Sequence, residues 1–456
     1  MPDEENIAEG AAKPKRKPNA ASRILVAAQT FILDAEALQE ILDVSYPVLV
    51  EKEKEHRAEL KDLSNQLKLA PDTPARLTYR DAHKFLGLFA RQMRGGFLFR
   101  GHLLVALVSR FDVFIAQVAR ELLSAFPDRL GQRSVKYADA VEFKSVEELK
   151  EKFIDEEVDN RMRESHVDQL KFLSSLANVT LGADEPGIFP RFVEVTERRN
   201  CQIHSGGNVS PQYRRVCSEH KVKFGVMPQD GKRLNVTVNY FQGARRVLSE
   251  MAFKIAQTIV RKTFPASQDL ADLHVDMIGI DRLKEHRWNE ALMVFDYASN
   301  LRAGWTGDES VRRNTAINKA QALVGLGKPD EAMEVINSLD WSASHPRYVM
   351  AISLLKREFS EAAKLMPLAG LKEDHYRTWP IFDSFRQTQE FKGAFCTVFG
   401  HDFDQSTLGA VSAEIAAIED TSTALAASDE VITEPKPEES KPLENFEGAK
   451  PEATGD

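Results

Sequence analysis

The stretch Glu197-Arg198-Arg199-Asn200-Cys201-Gln202-Ile203-His204-Ser205-Gly206-Gly207 sets two arginines, a carboxamide and a histidine on a short helical run that stops at a glycine pair. Phe189 to His204 reads as a helix, and Gly206 falls where a left-handed C-cap residue is needed, since glycine takes positive φ without a Cβ clash. At about 100° per residue, Val193, Glu197, Asn200 and His204 form one seam, with Phe189, Phe192 and Ile203 as an adjacent apolar stripe. Arg199 falls within that stripe, whereas Arg198 projects to the opposite, more solvated side. A charge on an apolar face needs a partner or a cleft, which favours Arg199 as the working residue. Ideal geometry separates Arg199 from His204 by roughly 140°, so the two flank Asn200 instead of stacking. Arginine holds phosphate and histidine moves protons near neutral pH, so these groups can handle a phosphodiester without a metal. The same letters also fit an exposed, charged helix end whose histidine is favoured by the helix dipole.

Arg199-Asn200-x-x-x-His204 resembles the Arg-x4–6-His motif of the HEPN superfamily, with the polar residue typical after the arginine. Glu197-Arg198 before it and Ser205-Gly206-Gly207-Asn208-Val209 after it resemble a bacterial branch of that superfamily, RiboL-PSP-HEPN-like. So do the upstream run Gly101 to Phe114, the segment Arg161-Met162-Arg163-Glu164-Ser165-His166, and Ser210-Pro211-Gln212-Tyr213. The resemblance covers roughly the middle half of the chain. It implies an α-helical bundle that dimerises and sets two motifs across one cleft. It also implies a metal-independent endoribonuclease of a toxin or antiviral defence setting, or a relative that binds RNA or nucleotides without cutting. On that basis Arg199, Asn200 and His204 are the expected catalytic residues. Glu197, Arg198, His166, Arg163 and Tyr213 are supporting candidates, no cofactor is expected, and RNA is the expected partner.

Composition sets the bounds. At 456 residues and 43% hydrophobic content the chain can bury two or three cores. The most apolar helical run, His102 to Phe126, carries Arg110, Asp112, Arg120 and Glu121, which predicts a bundle core helix and no membrane span. The N-terminus lacks an apolar signal segment, so the cytoplasm is the expected location. Three cysteines supply no disulfide framework. From Val411 onward twelve acids face three bases, which accounts for the whole net charge of −9 and leaves the body near neutral.

Residues 1–22 and 406–456 read as disordered polar tails, the first with the basic run Lys13 to Pro18 and the second acidic. Residues 23–265 read as the HEPN-like helical domain. Helices are expected over Ala35–Leu69 with a kink or break at Pro47, then Tyr79–Met93 and His102–Phe126 separated by Gly95-Gly96. Glu147–Phe153, Glu157–Leu176 and Gln242–Phe264 continue the pattern. Lys221–Val226 and Leu234–Val238 alternate around Asp230-Gly231, which predicts one small β-hairpin. Residues 266–405 carry three related phrases: Arg287-Trp288-Asn289-Glu290-Ala291, Lys328-Pro329-Asp330-Glu331-Ala332 and Glu358-Phe359-Ser360-Glu361-Ala362. Each fits the turn into the second helix of a hairpin. The region resembles a short tetratricopeptide-type solenoid, which implies a protein or peptide ligand on the repeats; a generic helical-hairpin domain fits as well.

One rival chemistry overlaps the motif. Cys201-x-x-His204 and Cys217-x-x-His220 have zinc-like spacing, and zinc would turn His204 from a base into a ligand. Neither pair sits in the tight knuckle that structural zinc sites use, so no metal is expected. No phosphate-gripping glycine loop and no Gly-x-Ser-x-Gly elbow are present. The expectation is therefore a mainly α protein: a HEPN-like bundle, then a tetratricopeptide-like helical domain.

Overall fold

The computed structural model describes residues 19–69, 75–136, 143–182, 187–301 and 309–404. Of the two expected tails, residues 1–18, with the basic run Lys13 to Pro18, and the acidic segment from Val411 lie outside the described residues, whereas Ala20–Ser22 are helical and not disordered. The chain is mainly α: sixteen α-helices and no β-strand occur among the described residues.

Helices α1 (Ala20–Leu69) and α2 (Ala75–Ala125) are antiparallel. Their pairing runs from Arg23 with Glu121, through Phe31 with Phe111 and Phe114, to Arg100 over the Tyr46 ring. Both are longer than the sequence suggests. α1 starts fifteen residues before Ala35 and runs through Pro47, and α2 runs through Gly95-Gly96 without a break. Packing overrides propensity here. A Cβ on Gly96 would meet the Glu53 carboxylate, so the glycine permits the close approach of the two helices. Within Gly95–Ala125, which is long and apolar enough to cross a membrane, half of the most apolar window is buried in the bundle. Leu104, Leu107, Val108, Phe111, Phe114 and Val118 lie fully inside.

Around this pair pack α3 (Val146–Arg161), α4 (His166–Ala177), α5 (Phe189–His204), α6 (Pro211–Glu219) and α7 (Val238–Thr263). Ser165 caps α4 by accepting a hydrogen bond from the Asp168 N–H. The hairpin expected over 221–238 does not form. The segment that returns to Leu234 bonds instead with the residues just after α5: Val209 N–H donates to Lys232 O (2.8 Å) and Leu234 N–H to Gly207 O (2.8 Å). The sole bridge there is Asn208 with Arg233. Val209 and Leu234 drop into a small core with Cys201, Tyr213 and Cys217, so burial chose this pairing over the local one.

Packing continues across Pro265. Ala271, Val275 and Ile278 of α8 (Gln268–Lys284) and Val294 of α9 (Trp288–Asn300) belong to the same core as α1, α2 and α7. Then follow α10 (Glu309–Gly325), α11 (Pro329–Asn337), α12 (Pro346–Leu355), α13 (Phe359–Leu365), α14 (Glu373–Thr378), α15 (Asp383–Arg386) and α16 (Gln389–Phe399). The three related phrases open α9, α11 and α13, and Ala291, Ala332 and Ala362 are all fully buried. Their turns are equivalent. A residue at positive φ precedes each one: His286, Gly327 and Arg357. The next N–H then reaches back five residues: Arg287 to Arg282 O (2.9 Å), Lys328 to Leu323 O (2.9 Å) and Glu358 to Ser353 O (2.8 Å). Three copies of one Schellman turn thus make three helical hairpins.

The hairpins join the bundle through a buried ionic network. Arg245 of α7 donates to Glu290 of α9 (2.6 Å), Arg287 pairs with Glu290 (3.0 Å) and with Glu36 of α1 (2.9 Å), and Arg282 pairs with Glu36. Burial would raise the Glu290 carboxyl, but Arg245 and Arg287 outweigh it and draw it down to about 2. A depressed folded-state value means stability that is present above the unfolded carboxyl range and is lost as pH falls towards 2. Glu290→Gln leaves Arg245 buried without its counter-ion and is expected to cost about 3–5 kcal/mol at neutral pH. The gap between wild type and variant, read from urea unfolding, should narrow as pH drops below about 4.5. A constant gap down to acid pH would contradict this account.

Candidate functional site

The motif lies on α5, which ends as its glycines require. Gly206 (φ 59°) and Gly207 (φ 84°) are left-handed, and Gly207 N–H donates to Cys201 O at 2.9 Å. A Cβ on Gly207 would strike the Phe97 ring and the Gln202 carboxamide.

One face of α5 is fixed by Glu194. This buried carboxylate accepts from Arg198 Nε (2.8 Å), from the Tyr213 hydroxyl (2.7 Å) and from the Tyr240 hydroxyl (2.7 Å). Arg198 also donates to Asn235 O (2.8 Å) and lies over the Tyr240 ring at 3.9 Å. Arg198 therefore does not project to solvent as the helical wheel suggests; α7 and the 232–236 segment cover that side, and its side chain is 13% exposed. Burial pulls against the Arg198 charge, but Tyr240 and Glu194 outweigh it and raise its pKa further. Burial likewise pushes up the hydroxyls of Tyr213 and Tyr240, so both act as neutral donors. Tyr213 is a core residue whose hydroxyl is committed to Glu194.

The other face holds a second polar group. Arg199 Nη2 donates to Asp112 Oδ2 (3.1 Å), and His166 Nε2 lies 2.8 Å from Asp112 Oδ1. Arg199 Nη1 donates to Asn200 Oδ1 (3.2 Å), and Asn200 Nδ2 donates to Glu197 Oε1 (3.2 Å). Glu197 is buried, and burial raises its carboxyl above the usual range despite the Asn200 hydrogen bond. The Arg199 Nε is buried with no partner among the described residues. Two of the sequence candidates, Arg199 and His166, thus meet on Asp112 of α2, and Asn200 and Glu197 extend the chain of hydrogen bonds from Arg199. His166 reaches Asp112 because the helix break at 162–165 starts α4 at that ring.

His204 and Arg163 stay apart from this group. His204 is exposed on the last residue of α5 and has no hydrogen bond or ion pair among the described residues. Arg163 is exposed in the turn before α4. Sequence reasoning missed Asp112, Glu194 and Tyr240 as site residues. Asp112 was visible as an acid inside an apolar helical run, and Glu194 as the carboxylate one turn before Arg198.

Cys201 and Cys217 sit in the small core beneath the motif, and burial pushes the Cys217 thiol up to about 12. His220 packs edge-on to Phe189. Among the described residues no three His, Cys, Asp or Glu side chains gather closely enough to hold a metal ion. Beside α5, on the Glu194 side, lies a cavity of about 520 Å³ bordered by Arg191, Arg198, Lys221, Lys223 and Tyr240.

No protein-family model, no curated protein and no solved structure matches this chain.

Tyr213→Phe and Tyr240→Phe each remove one of the three donors to Glu194. Each is expected to cost about 1.5–3 kcal/mol, the worth of a hydrogen bond to a charged group, with an unchanged urea m-value. Losses below about 0.5 kcal/mol for both would mean that Glu194 does not anchor α5.

Proposed function

We propose that the protein is a metal-independent endoribonuclease of HEPN type that acts as a cytoplasmic homodimer. The carrying observation is the Arg199–Asn200–Glu197 group, anchored on one edge by Asp112, with the motif histidine exposed at the end of the same helix and without a polar partner among the described residues. In the proposed reaction His204 takes the proton from a ribose 2′-OH. The O2′ attacks the adjacent phosphorus, the P–O5′ bond breaks, and the 5′-oxygen leaves with a proton from solvent. Arg199 meets the extra negative charge of the transition state and Asn200 orients the phosphate or the imidazole. The products are a 2′,3′-cyclic phosphate and a 5′-hydroxyl. Lys221, Lys223 and Arg191 offer further phosphate contacts beside α5. Exposed Leu33, Ile41, Val44 and Val48 on α1 form an apolar stripe of the kind a second copy would cover. A toxin or antiviral defence setting fits this reading through the family resemblance alone.

One observation favours a second reading. Arg199 is already paired with Asp112, which reduces its pull on phosphate. On that reading the bundle binds RNA or a nucleotide without cutting it, and the helical hairpins recruit a protein or peptide.

In excess EDTA, purified protein is expected to cleave a mixed RNA pool and leave cyclic-phosphate ends. His204→Ala and Arg199→Ala should each lower the rate by at least about 10²-fold with unchanged thermal melting. Activity surviving either change would sink the mechanism. RNA binding without cleavage by the wild type would support the second reading.

Arg199→Lys separates charge from shape. It keeps the positive charge near Asp112 but loses the planar fork. The variant is expected to lose most of the cleavage; a rate within about threefold of wild type would show that a point charge suffices and that the guanidinium fork contributes little.

A further inference from the structure

The second half of the chain contains a cavity of about 280 Å³, walled by α8, α10, α12 and the 379–382 segment. It is at the small end of ligand cavities and is mostly apolar, with Tyr348, Met350, Trp379 and Phe382 on its wall. Its polar groups are few and, apart from the Arg347–Tyr348 pair, have no hydrogen-bond partner among the described residues. Gln321 is 8% exposed, and its amide nitrogen is buried with no hydrogen-bond partner among the described residues. One turn before it on the same face of α10, Asn318 also lines the cavity, and no hydrogen bond of its side chain occurs among the described residues. Asp276 of α8 likewise has neither a hydrogen-bonded nor an ion-paired partner among them. The exception is Arg347, exposed at the rim, which donates to the Tyr348 hydroxyl at 2.8 Å.

These groups demand opposite things of an occupant. A half-buried carboxylate without a cation calls for a positive donor. The buried Gln321 amide, with the half-buried Asn318 amide and the Arg347 guanidinium at the rim, calls for an acceptor, best a carboxylate. Burial lifts the Asp276 carboxyl to about 6, and Asp272 one turn away adds to the lift. Asp272 is itself paired with Arg261 of α7 at 2.6 Å, and Asp276 has no such cation among the described residues. The remaining surface calls for an apolar body of about one side chain.

We propose that this cavity binds a free α-amino acid with an aromatic or branched apolar side chain, its ammonium on Asp276 and its carboxylate on Gln321, Asn318 and Arg347. The site is remote in sequence from the α5 motif and owes nothing to RNA cleavage. It would make the helical hairpins a small-molecule sensor region on the same chain.

The test is isothermal titration calorimetry on the full chain with L-phenylalanine and L-leucine, with intrinsic fluorescence as a second readout because Trp379 lines the cavity. Both amino acids should bind. N-acetylphenylalanine, which lacks the ammonium, and phenylalaninamide, which lacks the carboxylate, should each bind at least about tenfold more weakly. Asp276→Asn and Gln321→Leu should each weaken L-phenylalanine by about tenfold or more, with far-ultraviolet dichroism and melting retained. Three results would overturn the proposal. The first is no heat and no fluorescence change at millimolar amino acid. The second is equal binding of the two derivatives, or binding indifferent to Asp276→Asn. The third is binding of a peptide ending in phenylalanine where the free amino acid fails, which would assign the groove to a protein tail.

Discussion

Glu194 is the constraint on which the motif helix depends. A buried carboxylate is tolerable only when its lone pairs are filled, and here three donors from three elements fill them: Arg198 on α5 itself, Tyr213 on α6 and Tyr240 on α7. Because the donors come from different helices, none can shift without leaving the charge exposed to apolar surroundings. α5 is thereby locked in rotation, and its opposite face is committed to α2. That rotation sets Arg199 against Asp112. The buried arginine, Arg198, serves orientation, and the half-buried one, Arg199, is held by Asp112 and Asn200.

The same logic, repeated on a larger scale, attaches the hairpins. Arg245, Arg282 and Arg287 share Glu36 and Glu290, so α1, α7, α8 and α9 meet at one ionic node. Net gain in stability from such a node is modest, because desolvation offsets most of the attraction. Its effect is to forbid alternative docking. A slip of one turn would bury unpaired charge on both sides. Within the hairpins the close approach of helices takes over from charge: a Cβ on Gly279 would enter the Phe295 ring, so α8 and α9 can touch only where that side chain is absent.

Local chemistry was legible in the sequence, and tertiary choice was not. The span and C-cap of α5 follow from Phe189 to Gly207 alone, and the three hairpin turns follow from a repeated phrase whose alanine must be small. The helical wheel failed for Arg198 because periodicity names faces but not neighbours; α5 is covered on both sides, and its polar face is filled by Tyr240. Gly95-Gly96 and Pro47 were misjudged for a related reason. Their intrinsic cost of about 1–3 kcal/mol is small beside the apolar surface that α1 and α2 bury together. The lost hairpin at 221–238 shows local turn chemistry yielding to burial of Val209 and Leu234. Asp112 and His166 could be seen as letters but not as a pair, since 54 residues separate them and only the break before α4 brings the ring round.

Geometry also decides what the motif must do to work as proposed. Arg199 is drawn inward by Asp112, whereas His204 stands outside on the last turn, as the roughly 140° of helical separation requires. A phosphate bound by both would have to lie across the end of α5, near the exposed left-handed Gly206. Arg199 can reach it only by exchanging its carboxylate partner for the phosphate, a swap of one charge-assisted hydrogen bond for another at little net cost. Asp112 would then keep His166 as its partner and would not be stranded. On the proposed mechanism the Asp112–His166 pair is what would let the arginine leave, a freedom that Arg198, held on Glu194 by a neighbouring face, would not have.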